Sequence, residues 1–171
     1  HGFRNRLING DFSIWQRGVS FSGANQYVSD HWRVGTASMP TSVTTSRQAF
    51  TPGQTDVPGE PEFFLRIDHA DNNALLYQPV EDVRTLAGRN AVYSFYSKAD
   101  TSLTMNVHVV QNFGSGGSTT VAVTSAALSL TTSWQRFEVA VTLPDLGGKT
   151  FGSGHHISFT HSTVGDYVLD F

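Results

Sequence analysis

The chain contains no cysteine, so it has neither a disulfide framework nor thiol chemistry, although the redox compartment is left open. Charge is also scarce. Asp, Glu, Lys and Arg make up 15% of the 171 residues, against about 25% in an average domain. Eighteen serines and eighteen threonines take their place. With 11 basic and 14 acidic residues the formal charge is -3, and nucleic acid, which demands a concentrated basic surface, is not an expected partner. Arg4, Arg6 and Arg17 form the one basic cluster near a terminus, and a solvated face accounts for it. No apolar run approaches the ~18 residues that cross a bilayer, and no signal-peptide pattern opens the chain, so membrane insertion is not expected.

A chain of this length folds most economically as a single domain, 1–171, burying about 70% of its unfolded surface without covalent staples. It begins at His1 rather than Met and stops just after a strand-like Tyr167–Phe171, which reads as a piece cut from a longer polypeptide. Its dominant pattern is a period of two. Asn90–Asp100 places Ala91, Tyr93, Phe95 and Ser97 on one side and Val92, Ser94, Tyr96 and Lys98 on the other. The run Leu103–Gln111 repeats it, with Leu103, Met105, Val107, Val109 and Gln111 against Thr104, Asn106, His108 and Val110. Further strands are expected at Ser42–Phe50, as an exposed strand, and at Phe63–His69, Ala74–Val80, Val121–Leu130, Trp134–Leu143, His156–His161 and Tyr167–Phe171. Asp71-Asn72-Asn73 has turn chemistry, and Thr51–Pro61, with three prolines and two glycines, is a loop that no strand can cross. About ten short, evenly spaced strands with no sustained helical period predict an all-β sandwich.

The sequence Leu7-Ile8-Asn9-Gly10-Asp11-Phe12-Ser13-Ile14-Trp15-Gln16-Arg17-Gly18 carries a more specific signal. So do Asp30-His31-Trp32-Arg33, Tyr93-Ser94-Phe95-Tyr96-Ser97-Lys98-Ala99, Gln111–Ser118, the Leu-Thr-Thr-Ser-Trp-Gln-Arg-Phe of 130–137 and the closing Tyr-Val-Leu-Asp. Together they resemble jelly-roll carbohydrate-binding modules of the cellulose- and xylan-binding type, which share the galactose-binding-like fold, and the N-terminal motif with Asp30–Arg33 and Gln111–Ser118 is similar to the version found in bacteriophage tail and other virion proteins. One departure is Tyr96, where that family usually has Trp. The resemblance covers nearly the whole chain and implies a β-sandwich jelly roll of two antiparallel sheets. It further implies a non-catalytic domain on a virion surface, extracellular, that attaches to a polysaccharide or host-surface glycan beside other copies or virion proteins. Two alternatives remain: a structural decoration or oligomerisation module with no ligand, and an accessory binding module of a polysaccharide-degrading enzyme.

A sugar is held by stacking its C–H face on an aromatic ring while polar side chains meet its hydroxyls. Arg66, Tyr77, Gln78, Tyr96, His108 and Gln111 are the candidates for such a platform, on a sheet built from Phe63–His69, Ala74–Val80, Asn90–Asp100 and Leu103–Gln111. Each also fits an ordinary sandwich position. Trp15, Trp32 and Trp134 are expected in the core. The resemblance further implies one structural Ca²⁺, with Asn9, Asp11 and Asp170 as hard oxygen ligands. Enzyme signatures are weak. No Gly-x-Ser-x-Gly elbow occurs, and alternation sends His156 to the opposite face from His155 and His161, so the three cannot form a zinc set.

Overall fold

A computed structural model describes residues 5–35, 43–69, 74–163 and 165–171. The predicted Asp71-Asn72-Asn73 turn and the start of the Ser42–Phe50 strand lie outside these residues. Twelve strands occur among them: β1 (Ser20–Ser22), β2 (Gln26–Tyr27), β3 (Arg33–Val34), β4 (Val43–Ala49), β5 (Phe63–His69), β6 (Ala74–Val80), β7 (Asn90–Ala99), β8 (Leu103–Asn112), β9 (Val121–Leu130), β10 (Gln135–Thr142), β11 (His156–Thr163) and β12 (Tyr167–Asp170). They form two antiparallel six-stranded sheets, ordered β1-β4-β5-β12-β7-β10 and β2-β3-β6-β11-β8-β9, which is the expected jelly-roll sandwich.

The order corrects one expectation. β5, β6, β7 and β8 are not one sheet, because the chain crosses the sandwich at each connection between them: β5 and β7 belong to the first sheet, β6 and β8 to the second. β4 is likewise no exposed strand. It pairs with both β1 and β5 and buries Val43 and Thr45.

Alternation decides what lies between the sheets. Leu65 and Ile67 of β5, Tyr93 and Phe95 of β7 and Leu169 of β12 face Leu76 of β6, Met105, Val107 and Val109 of β8 and Ile157 and Phe159 of β11, all buried. Each such side chain contributes about 1.5–3 kcal/mol by leaving water. Towards the chain ends the core becomes aromatic. The Phe171 ring lies 4.9 Å from that of Trp32 and within 6 Å of Phe12, Tyr93 and Phe95. His161 is enclosed among these rings with Nε2 2.9 Å from the Tyr93 hydroxyl, and burial pulls its pKa down to about 3.

Residues 5–16 form no strand, yet they are fixed tightly. Gln78, buried in the sandwich, accepts the Ile8 N–H and donates to the Ile8 carbonyl, both at 2.8 Å. Trp32 Nε1 donates to the Asn9 carbonyl, and Trp15 Nε1 to that of Phe12. Beyond the Asn112 end of β8 and the His156 end of β11, the loops 112–118 and 150–154 are laced together by the reciprocal pair Ser115–Ser153 and by Gly152 N–H to the Phe113 carbonyl. Only glycine fits there: a Cβ at Gly117 would stand 2.1 Å from the Phe113 carbonyl oxygen, and one at Gly152 2.1 Å from that of Ser115.

Candidate functional site

The outer face of the second sheet presents a continuous row, one residue from each of its six strands. Tyr27 pairs with Arg33, Arg33 with Tyr77, Tyr77 with Thr160, Thr160 with His108, and His108 with Ser125. Their chain neighbours Val34, Leu76, Gln78, Phe159, His161, Val107 and Val109 are buried, so alternation turns the row itself outward. In the rows on either side, which also carry Pro79 and Val110 or Leu75 and Asn106, the β11 and β9 members are small. Ser158 and Ser162 also point outward, yet each is only 6% exposed, and Ala122 and Ala127 continue their rows on β9. The short side chains of Ser158, Thr160 and Ser162 along β11 thus run between the taller Tyr77 of β6 and His108 of β8, which makes a shallow trough.

At the β2 end the row opens into a cleft of about 600 Å³ lined by Ile8, Asn9, Ile14, Gln16, Arg17, Tyr27, Asp30, His31 and Glu81. Ile8 and Ile14 are about half exposed and Tyr27 is 40% exposed, an apolar surface ringed by polar groups. Two of the lining residues, Asn9 and His31, hold left-handed backbone with φ of 53° and 67°, a strained conformation that tends to gather at ligand sites. Asn9 is kept there by its own amide, which donates to the Ile14 carbonyl and Ser29 Oγ and accepts the Ile14 N–H. The guanidinium groups of Arg17 and Arg33 lie 5.5 and 5.8 Å from the Tyr27 ring centroid. Burial raises the Tyr77 hydroxyl pKa, against the pull of Arg33 beside it.

The outer face of the first sheet is built differently. Phe50, Phe64 and Trp134 pack against one another in tilted and edge-to-face arrangements, centroids 4.7–5.4 Å apart, with Lys98 over the Trp134 ring. Arg66 is held by Asp68 and Asp100, each at 2.6 Å, and Arg136 by Glu138. Rings and charges here are spent on each other.

The six predicted platform residues therefore separate into three groups. Tyr77 and His108 stand together on the second sheet's outer row. Arg66 and Tyr96 stand on the opposite outer face. Gln78 and Gln111 are corrected: both are essentially inaccessible, Gln78 clamping Ile8 and Gln111 donating to the Pro144 carbonyl, so a sugar arriving from solvent does not meet them. Tyr27, Arg33 and Thr160 carry no signal of their own in the sequence, and Arg17 reads there only as part of a solvated basic cluster. β2 and β3 have two residues each, too few to show a period. Of the tryptophans, Trp15 and Trp32 are core, whereas Trp134 is half-buried on the first sheet's outer face.

Of the three predicted metal ligands the fold brings two together. Asp170 is buried, its Oδ1 has no hydrogen-bond partner, and its pKa is pushed up to about 7 chiefly by burial, with the nearby Asp11 charge adding to the rise. A buried carboxylate oxygen without a hydrogen-bond partner, with a second carboxylate near enough to feel its charge, is the kind of donor a hard divalent cation takes. Asn9 commits its side chain to the hydrogen bonds above. No group of three or more His, Cys, Asp or Glu suited to a metal occurs among the described residues, so backbone carbonyls or water would have to complete the shell.

The fold and this open, trough-like face define a jelly-roll sandwich of the kind that carbohydrate-binding modules adopt, and the solved structures most like it include several such modules. The CBM22-1 xylan-binding domain of Paenibacillus barcinonensis Xyn10C matches with a TM-score of 0.55 at 18% identity over 89% of this chain and 88% of that one. TmCBM61, solved with β-1,4-galactotriose, matches with a TM-score of 0.52 at 17% identity over 98% and 95%. The enzymatically active domain of bacteriophage CBA120 tailspike protein 4 matches with a TM-score of 0.56 at 12% identity, covering 97% of this chain. The chain spans only 20% of that tailspike domain's length and 25% of the CBM22-1–GH10 segment of Clostridium thermocellum xylanase 10B. No protein-family model matches the sequence, nor does any curated protein sequence.

Proposed function

We propose that the domain is a non-catalytic carbohydrate-binding module whose ligand lies in the trough on the second sheet's outer face. The observation that carries this is the unbroken row Tyr27–Arg33–Tyr77–Thr160–His108–Ser125, which offers rings for the apolar faces of sugars and hydroxyl, imidazole and guanidinium groups for their hydroxyls. The row contains no carboxylate, so the acid–base pair of a glycosidase is missing from it. An open trough gives weak single-site binding, strengthened where several copies act together.

The domain's setting is a phage virion protein, displayed on the outside of the particle, where it attaches to a host-surface glycan alongside other copies or virion proteins. The N-terminal motif and the near full-length likeness to part of a tailspike domain support this setting. One structural Ca²⁺ is held by Asp11 and Asp170. A second setting, the accessory module of a polysaccharide-degrading enzyme, is favoured by the xylanase in which such a module precedes a catalytic one; the sequence flanking these 171 residues separates the two.

A glycan array probed with and without chelator tests the proposal, together with two pairs of variants. Tyr77→Ala and His108→Ala should each weaken retention by roughly 5- to 30-fold, the loss of one stacking or hydrogen-bonding group, while Arg66→Ala and Tyr96→Ala leave it unchanged. Loss confined to the second pair would move the site to the other sheet. A blank array at high domain density would remove the proposal.

A further inference from the structure

The cleft end of the row holds two arginines that the protein does not neutralise. Arg66, Arg84 and Arg136 pair with carboxylates, whereas Arg17 and Arg33, like Arg6, Arg47 and Arg89, form no ion pair among the described residues, and only Arg17 and Arg33 share one ring. Arg33 is half-buried, its register partners are Tyr27 and Tyr77, and its Nε is enclosed with no hydrogen-bond partner. An enclosed guanidinium N–H without an acceptor is costly and rare in a finished structure. Arg17 adds to the cost, because both cations gather at one ring and repel each other. Asp30 and Glu81 line the same cleft without reaching ion-pair distance of either arginine; Asp30 instead accepts the Gln16 N–H.

The enclosed Nε is out of a ligand's reach, but an anion on the exposed side of the two guanidinium groups would neutralise Arg17 and Arg33 together and relieve their repulsion. The tyrosine rings and the exposed Ile8 and Ile14 favour an anion attached to a body with an apolar face rather than a free ion. A guanidinium presents parallel N–H groups that match both oxygens of a carboxylate. We infer that this end of the trough is a subsite for an acidic sugar, in which Arg33 and Arg17 bind the carboxylate of a uronic or sialic acid residue whose ring lies against Tyr27. The inference rests on the saccharide reading above and narrows it from carbohydrate in general to carboxylated polysaccharide.

Matched oligosaccharides test it. Hexasaccharides of galacturonate, glucuronate, mannuronate and sialic acid are titrated calorimetrically against the intact domain beside their carboxyl-reduced forms, which keep ring and linkage but lose the charge. A set of neutral and sulfated oligosaccharides completes the panel. At least one acidic member should bind tenfold or more tightly than its reduced form, the loss expected for a charge-assisted bidentate contact. Arg33→Gln should abolish that difference. Arg17→Gln, on an exposed side chain where folding is not at stake, should reduce it. Binding of neutral or sulfated members with no preference for carboxylate overturns the inference and leaves the saccharide reading standing. No binding to any member overturns both.

Discussion

His161 gives the most quantitative prediction the fold allows. Its ring is fully enclosed, Nε2 meets the Tyr93 hydroxyl, and the aromatic rings of Tyr93, Phe95 and Phe171 surround it, so the charged form is excluded and the pKa falls from 6.5 to about 3. A depressed histidine pKa means that the unfolded chain binds a proton which the folded one refuses. The contribution to stability is therefore complete above pH 6.5 and lost progressively as the pH falls towards 3. Between about pH 8 and pH 5 the loss works out at about 2 kcal/mol, a sizeable share of the ~5–15 kcal/mol that holds a domain together. Asp170 titrates the opposite way, its raised pKa favouring the folded state as the pH falls, so wild-type stability alone is ambiguous. The difference between wild type and His161→Phe isolates the histidine, since both chains carry Asp170. Urea unfolding at the two pH values should show the variant less stable at pH 8, by about 1–3 kcal/mol for the unpaired Tyr93 hydroxyl, with the gap narrowing or reversing by about 2 kcal/mol at pH 5. A gap that does not change with pH refutes the reasoning.

Three further outcomes follow from the geometry. Gly117→Ala or Gly152→Ala, each forcing a Cβ to 2.1 Å from a carbonyl oxygen, should lower stability by about 1–3 kcal/mol or more, seen as a lower melting temperature. Gln78→Ala deletes both bonds to Ile8 and should cost about 1–3 kcal/mol, with faster hydrogen exchange at the Ile8 amide while the β8 amides keep their protection. Calcium at 100 times its dissociation constant should raise stability by about 2.7 kcal/mol; chelator should reverse the gain, and Asp170→Asn should lose it. A melting temperature indifferent to calcium and chelator in the wild type would remove the metal.

The strands were legible because alternation is local. Tyr93, Phe95 and Ser97 against Val92, Ser94 and Tyr96 announce β7 whatever lies beside it, and the inward set proved buried. Which sheet a strand joins is not local. β5 to β8 read as one platform because they follow one another in the chain, whereas a jelly roll passes successive strands between its two layers, and nothing in the side chains of Phe63–His69 records that β12 will be its neighbour. The buried glutamines were legible in principle. Gln78 shares parity with Leu76 and Val80, and Gln111 with Val107 and Val109, so their inward direction was written in the pattern. The chemistry of an amide suggested a ligand, but the fold uses it to tie down a backbone that has no strand partner of its own.

The same contrast separates the two outer faces. Both carry rings and arginines, and composition alone would recommend either. On the first sheet the aromatic rings pack on each other and Arg66 and Arg136 are matched by carboxylates, so a ligand would have to break contacts already made before gaining its own. On the second, no carboxylate of a described residue pairs with Arg17 or Arg33, His108 forms no hydrogen bond to another described residue, and Ser158 and Ser162 are small beside their taller neighbours. Binding energy is the surplus over what the free surface already has. The face whose polar groups are least satisfied by the protein itself is therefore the one on which a polyhydroxylated ligand gains most, and that difference, rather than any count of aromatic residues, is what supports the proposed site on the second sheet.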